Sequence, residues 1–402
     1  MKVLLISSKY QPEYSGSGLR AHNTYKRFKR KFNIDYDVVA SSLENTGFEK
    51  YIYDEVNVLR IAGLFKVANF HGILRKLVVW INMPFEVIRS WLFIRNKINE
   101  YYLLHSFGDS WVIGFLTWYF AKQNKAIMRE LCNDIETPYY PKPFKRWIKP
   151  IFQKDNTVIV AISPMLEKLA KNNGVKNVWQ RPNPIDESKF NLNVKKQKYQ
   201  LRKKLTKFNK NDVILCSVAN FSDRKNQMFL LKVLKLLPKK YKLFLGGVVH
   251  NDTEGGKASI SSVSYIDNIN SYVDKNSLKS RVQIKTDFIG NPQEYMALSD
   301  VYLFPSKHEG LGTPILETQS LGVPIVANKL DGITDKWIKE GTGGYSSELN
   351  EDLWIDKINN ALNIKTEKLK KNAQNIINQS KSELIDKQYF KFFKELANAK
   401  PN

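Results

Sequence analysis

The chain has 402 residues, more than one hydrophobic core usually serves, so two domains of about 200 residues each are expected. Hydrophobic residues make up 43% and charged residues 25%, with no long biased tract, which excludes a disordered or low-complexity chain. A net charge of +24 and a pI near 9.7 leave three readings open: a nucleic-acid partner, an anionic membrane surface, or a lysine-rich composition with no partner behind it.

Met1 to Ile6 is apolar but turns polar at Ser7-Ser-Lys9, too short a run for a signal peptide, so export by that route is not expected. Val3 to Ser7 reads as a strand, Gly16-Ser-Gly18 as a glycine loop after it, and Leu19 to Arg30 as a helix. Asp35-Tyr-Asp37 spells D-x-D, a metal-binding pattern, yet it directly precedes Val38 to Ala40 and so reads as polar entry into a second strand. From Arg60 to Glu100, basic residues including Arg75, Lys76 and Arg89 mix with Trp80, Trp91 and several Phe, and Pro84 is expected to divide the stretch into two helical pieces. Such helices suit either a lipid headgroup region or packing within the first domain. Trp111 to Ala121 falls well short of the roughly 20 residues of a spanning helix. Cys132 and Cys216 are the only cysteines and read as buried thiols in a reducing, cytoplasmic compartment. Two cysteines and five scattered histidines build no metal cluster.

Val158 to Ile162 reads as another strand, capped by Ser163-Pro164 at the start of a helix. Arg181 to Asp186 is rigid and Lys195 to Lys210 reads as a solvated connection, which sets a first domain at 1–185 and a second at 186–380. The second half restarts the strand–helix alternation, with strands at Val213–Val218, Leu243–Leu245, Val282–Ile284, Val301–Phe304 and Ile325–Ala327. Residues 381–402, with Tyr389, Phe390, Phe392 and Phe393, suit a helix docking back on the first domain. The fold class is therefore α/β, two Rossmann-like domains facing across a cleft, with ligands at the carboxyl ends of the strands. No zinc-finger, RRM or recognition-helix pattern is present, so nucleic acid is not an expected partner.

The most informative segment is Phe304-Pro-Ser-Lys-His-Glu-Gly-Leu-Gly-Thr-Pro-Ile-Leu-Glu317. A strand ends, a glycine loop follows, and Thr313-Pro314 reads as an N-cap and first helical residue. The amides of Gly310, Leu311 and Gly312 beside a positive helix end suit a diphosphate. Glu309 and Glu317 flank this cradle. Glu309 can accept from sugar hydroxyls and stabilise positive charge at an anomeric carbon, and Glu317 can reach ribose hydroxyls. Either glutamate alone reads more simply, as a solvated loop residue or a complement to the helix dipole; the set does not.

This segment resembles the E-x7-E signature of retaining glycosyltransferases of family 4, which have the GT-B fold. Ser217 to Asn226 resembles the family's phosphate-binding block, and Asp287-Phe-Ile-Gly290 the block that meets the nucleotide base through Ile289. Gly16-Ser-Gly18 is similar to its first glycine loop, and Pro182 to Asp186 to the motif closing its first domain. Two departures stand out. Asn220 occupies the place of the usual Arg five residues before Lys225, so Arg224 becomes the candidate second cation, or an ordinary exposed arginine. Where the family often shows H-x-H, Leu103 to Phe107 has His105 and then Phe107, leaving His105 as a catalytic candidate or a packed histidine.

The resemblance implies a sugar transferred with retention from a UDP- or GDP-linked donor to a glycan or lipid-linked acceptor in cell-surface polysaccharide synthesis. It implies no metal and no cofactor, with Lys225, Arg224, the glycine amides and the Gly16–Gly18 loop neutralising the leaving diphosphate; the net charge and the basic, aromatic stretch from Arg60 to Glu100 add the expectation of a place on the inner face of a membrane. A GT-B-like epimerase or phosphorylase, or a partner subunit without activity, are the alternatives.

Overall fold

A computed structural model describes residues 2–13, 15–131, 145–181, 183–249 and 262–398; Cys132 and Pro182 lie outside them. The chain divides into two compact units, Met1–Pro182 with Glu383–Asn402, and Asn183–Ser382. Each is a parallel-sheet α/β domain, as the sequence led us to expect.

The first sheet contains β1 (Lys2–Ser7), β2 (Asp35–Ser41), β3 (Phe48–Tyr53), β4 (Val56–Ile61), β5 (Leu103–Phe107), β6 (Ala126–Leu131), β7 (Thr157–Ala161) and β8 (Val178–Gln180), in the order β3-β4-β2-β1-β5-β6-β7-β8. All neighbours run parallel except the edge pair β3 and β4. Val3 to Ile6 are fully buried, because helices cover both faces of a parallel sheet and its central strands lose the alternation of a half-exposed strand. Asp35 opens β2, so the D-x-D is strand entry; Asp37 pairs with Lys2 at 2.9 Å and accepts from the Tyr101 hydroxyl at 2.6 Å. The β3–β4 hairpin is not evident from the sequence. Its turn residues Asp54 and Glu55 hold φ values of 47° and 65° without glycine, and β3 is an exposed edge.

The helix after β1, α1 (Gly16–Phe32), begins at Gly16 rather than Leu19, so Gly16 to Gly18 form its first turn and not a loop. Ser15 caps it, accepting from the Gly18 amide at 2.9 Å. A Cβ on Gly18 would lie 2.4 Å from the Lys9 carbonyl oxygen, so only glycine lets the helix start this close to β1.

A second correction concerns α2 (Gly72–Ile94), which runs unbroken through Pro84. Proline removes one helical hydrogen bond, but Val78, Asn82, Glu86, Ser90 and Ile94 keep a single buried stripe on both sides of it. Asn82 accepts from the Leu64 and Phe65 amides at 2.9 and 3.0 Å and donates to the Phe65 carbonyl at 2.8 Å. Arg89 donates to the Ala62 carbonyl, so it belongs to this inner attachment and not to an outer basic face. Between Lys76 and Arg95 the polar side chains Asn82, Glu86 and Ser90 therefore point inward, while large apolar ones such as Leu77, Trp80, Ile88 and Trp91 point outward.

The helix Ser382–Asn398 packs on the first sheet. Asp386 accepts from Arg27 at 2.8 and 3.0 Å, Phe390 stacks on Phe32, and Phe392 on Trp179.

The second sheet is wholly parallel, with β9 (Val213–Val218), β10 (Tyr241–Gly246), β11 (Val282–Lys285), β12 (Val301–Phe304), β13 (Ile325–Asn328) and β14 (Gly344–Ser347) in the order β11-β10-β9-β12-β13-β14. Its core gathers Leu215, Leu243, Leu245, Leu303 and Trp354, each at most 1% exposed. Cys216 is a buried thiol in β9.

Candidate active site

In the second sheet the winding reverses at β9: β10 and β11 lie on one side, β12 to β14 on the other. The carboxyl ends of β9 and β12 therefore splay apart at a topological switch point, where parallel α/β sheets bind ligands. Both loops leaving these strands carry residues singled out by the sequence.

The two loops are clasped together. Lys307 pairs with both oxygens of Asp223 at 2.9 Å, and its amide donates to the Arg224 carbonyl at 2.9 Å. The Arg224 guanidinium donates to the His308 carbonyl at 3.1 Å and lies 3.4 Å from Glu309. The Lys225 ammonium donates to Glu309. Burial alone pushes the Glu309 carboxyl up, but Lys225 and Arg224 outweigh it and hold the group ionised below its usual range. The Asp223–Lys307 pair carried no sequence signal, because each residue reads as an ordinary loop charge.

Gly312 caps the helix Thr313–Ser320 at φ 68°, so the N-cap falls one residue before the expected Thr313. A Cβ there would meet the Phe304 ring at 2.8 Å, leaving glycine as the residue that fits. Among the described residues, the amides of Gly310, Leu311 and Gly312 donate to no protein acceptor. Thr313 accepts from the Asn183 side chain at 3.0 Å. Glu317 keeps partial access to solvent, yet desolvation first and Asp186 second push its carboxyl up to about 7. Asn220 is partly exposed at the end of β9, and its carbonyl accepts from Gln227 at 3.0 Å. Ile289 fills the space beside Gly246 after β11. Of the predicted residues, Arg224, Lys225 and Glu309 are brought into contact, and the glycine amides follow directly in the same loop.

The first sheet has its own switch point between β1 and β5. The Ser8 amide donates to the Phe107 carbonyl at 3.0 Å, and a Cβ on Gly108, at φ 81°, would collide with Ser8 Oγ at 2.1 Å. Gly16 and Gly18 lie beyond β1 near this crevice. His105 does not open into it. Its side chain is fully buried, with Nδ1 2.8 Å from the Tyr25 hydroxyl, Nε2 3.3 Å from Glu130, and the rings of Phe107, Tyr389 and Phe393 around it. Burial lowers its pKa despite Glu130. This packing is that of a structural histidine, the second of the two readings the sequence leaves open.

Glu130 was not singled out from the sequence, since a charged pair within Ala126 to Leu131 hides a buried strand. It accepts from Arg181 at 2.7 and 2.9 Å, from Arg20 at 3.3 Å and from the Tyr389 hydroxyl. Burial raises its carboxyl, but Arg181, His105 and Arg20 bring it down to about 2. Among the described residues no three His, Cys, Asp or Glu side chains gather as metal ligands.

Residues 198–382 match the family model described as Glycosyl transferases group 1. That span falls within the second unit. The matched span holds Lys225, Glu309 and Glu317. The chain is 27% identical over 118 residues to the O-antigen biosynthesis glycosyltransferase WclY of Escherichia coli, which is 29% of each chain. It is 27% identical over 188 residues to the E. coli UDP-Gal:alpha-D-GlcNAc-diphosphoundecaprenol alpha-1,3-galactosyltransferase, covering 45% of this chain and 43% of that one. The chain thus matches under half the length of these curated relatives. Anabaena HepE, crystallised with UDP and glucose, shares the GT-B fold over 97% of this chain and 98% of its own, at a TM-score of 0.71 and 17% identity.

Proposed function

We propose that the chain is a retaining glycosyltransferase that moves a sugar from a UDP- or GDP-linked donor to a hydroxyl of a lipid-linked glycan, in the synthesis of a cell-surface polysaccharide. The observation that carries this reading is the Lys225–Glu309 contact at the switch point, directly followed by three amides without a protein acceptor. The names of relatives that build O-antigen support the polysaccharide role, and the diphosphoundecaprenol-linked acceptor of one supports a lipid-linked acceptor here. HepE, bound to UDP and glucose, supports the donor class.

In this mechanism the bond from the anomeric carbon to the diphosphate breaks with its electron pair on phosphate oxygen. Lys225, Arg224 and the Gly310 to Gly312 amides stabilise that charge, and no metal or cofactor takes part. Glu309, held ionised, faces the positive charge that develops at the anomeric carbon. The acceptor oxygen attacks the same face, and its proton passes to the departing phosphate. Glu317 accepts from the ribose hydroxyls, Ile289 borders the base, and Asn220 and Thr313 line the phosphate approach. The Gly16–Gly18 turn serves the first domain's side of the site. We place the enzyme in the cytoplasm, on the inner face of a membrane.

Asn220 in place of arginine favours a second reading, a non-catalytic partner that binds nucleotide sugar without turnover. A thermal-shift screen of UDP, GDP and their sugars, followed by an assay of nucleotide release, separates the two. Stabilisation by one nucleotide class together with its release supports the enzyme. Stabilisation without release supports the binding subunit, and no stabilisation by any ligand contradicts both.

A further inference from the structure

Among the described residues, α2 is the one helix long and apolar enough to cross a membrane. Its inward stripe is bonded to the domain body, so the helix cannot leave that body to span a bilayer without breaking the Asn82 and Arg89 attachments. Its outward face is another matter. Leu74 is 62% exposed, Leu77 52%, Trp80 52%, Ile81 46%, Ile88 54% and Trp91 42%, with Leu64 and Phe65 continuing the surface through the loop that Asn82 holds.

Charge names the occupant. Between Glu55 and Glu100 the only acidic residue is Glu86, and it is buried. Lys66, Arg75 and Lys76 stand at one end of the helix, Arg95 and Lys97 at the other, so cations bracket an outward face of uncharged side chains about 27 Å long, from Leu77 to Ile94. Arg95 lies over the Trp91 ring at 4.8 Å and Lys97 over Phe93 at 5.6 Å, which brings cations beside aromatic rings as a headgroup layer favours. A second copy of the chain would set these cations against identical ones, whereas an anionic leaflet complements both the charge and the apolar face.

The face also reaches the first domain's crevice. Trp80 packs on Trp111 with ring centroids 5.2 Å apart, and the Trp111 indole donates to the Val79 carbonyl at 3.2 Å. Trp111 opens α3 (Trp111–Lys122), capped by Ser110 two residues after Gly108 at the β1–β5 switch point.

We infer that α2 is a monotopic docking helix, lying in the headgroup boundary of an anionic bilayer with its polar stripe clipped to the domain, and that it delivers the polar head of a lipid-linked acceptor to the β1–β5 crevice. The acceptor clause rests on the glycosyltransferase reading; the docking clause does not.

The test uses the full chain with phosphatidylglycerol–phosphatidylcholine vesicles, pure phosphatidylcholine vesicles, and phosphatidylcholine vesicles doped with a polyprenyl diphosphate. The variant L77S/I81S/I88S is compared with the control L353S, which removes an exposed leucine elsewhere. The wild type and control should sediment with anionic vesicles and be released by alkaline carbonate. The triple variant should lose more than about tenfold in partitioning while keeping its melting temperature. Unchanged sedimentation of the triple variant, or resistance to carbonate, overturns the docking clause. So does a wild-type dimer that the triple variant converts to monomer without any vesicle binding. Polyprenyl diphosphate should recruit the wild type to otherwise neutral vesicles, and failure there overturns the acceptor clause alone. A wild type that binds vesicles but releases no nucleotide from any sugar donor leaves docking standing and defeats the proposed function.

Discussion

Lys225 donates to Glu309 across the gap between the loops that follow β9 and β12, two strands adjacent in space though their paired residues, such as Leu215 and Val301, lie 86 positions apart in sequence. The pair holds a cation and an anion together at the carboxyl end of the sheet, and under the proposed function the donor diphosphate would meet that cation.

Lys225→Ala should weaken binding of a nucleoside diphosphate by about tenfold to a hundredfold, the range of a charge-assisted hydrogen bond. Binding of the nucleoside alone should hardly change. Isothermal titration with UDP or GDP against uridine or guanosine reads the difference, and equal losses would make Lys225 merely structural.

Asp223→Asn should loosen the clasp to Lys307. Both side chains are well exposed, so stability should move by no more than about 0.5 kcal/mol. Donor turnover should fall more than donor affinity, because the clasp positions Glu309 without touching ligand. Equal kcat in the two proteins would remove Asp223 from the site's support.

Glu317 gives a pH signature. Its folded pKa of about 7 lies above the ordinary value of 4.5, so it contributes stability that is fully present below that ordinary value and lost as pH rises through about 7. The ionised form is the better acceptor for ribose hydroxyls, so ribonucleotide affinity should rise over the same interval. Glu317→Gln should flatten both profiles relative to wild type in paired melting and binding series. A parallel pH dependence in wild type and variant contradicts the assignment.

His105→Asn should reduce stability by about 1–3 kcal/mol, through the partners it leaves at Tyr25 and Glu130, and leave turnover of the folded protein intact. Glu130→Ala strands Arg181 and Arg20 and should destabilise by about 3–5 kcal/mol. Chemical denaturation checks both. Loss of turnover in a fully folded His105→Asn protein would return His105 to catalysis.

What the sequence made legible follows from locality. The segment from Phe304 to Glu317 holds its strand end, glycine turn and helix start in one stretch, so the residue types alone indicate a cradle. Val3 to Ile6 and Val213 to Cys216 belong to central strands whose unbroken apolar runs are unmistakable. Contacts between distant segments were not legible. Asp223 with Lys307, and Glu130 with Arg181, are ion pairs only because two strands bring them together. The inverted helix α2 escaped for a different reason. Pro84 signalled a break, and the spacing of Asn82, Glu86 and Ser90 gains meaning only once one learns that this polar stripe faces inward.

The central claim is that Glu309 stabilises charge arising during sugar transfer. It is tested most directly by measuring nucleotide release from UDP- and GDP-sugars with wild type and Glu309→Gln side by side. The account predicts release by the wild type from one donor class, a loss on the order of a hundredfold or more in the variant, and nucleoside diphosphate affinity preserved or improved because Lys225 is freed. A Glu309→Gln protein that releases nucleotide at the wild-type rate would contradict it.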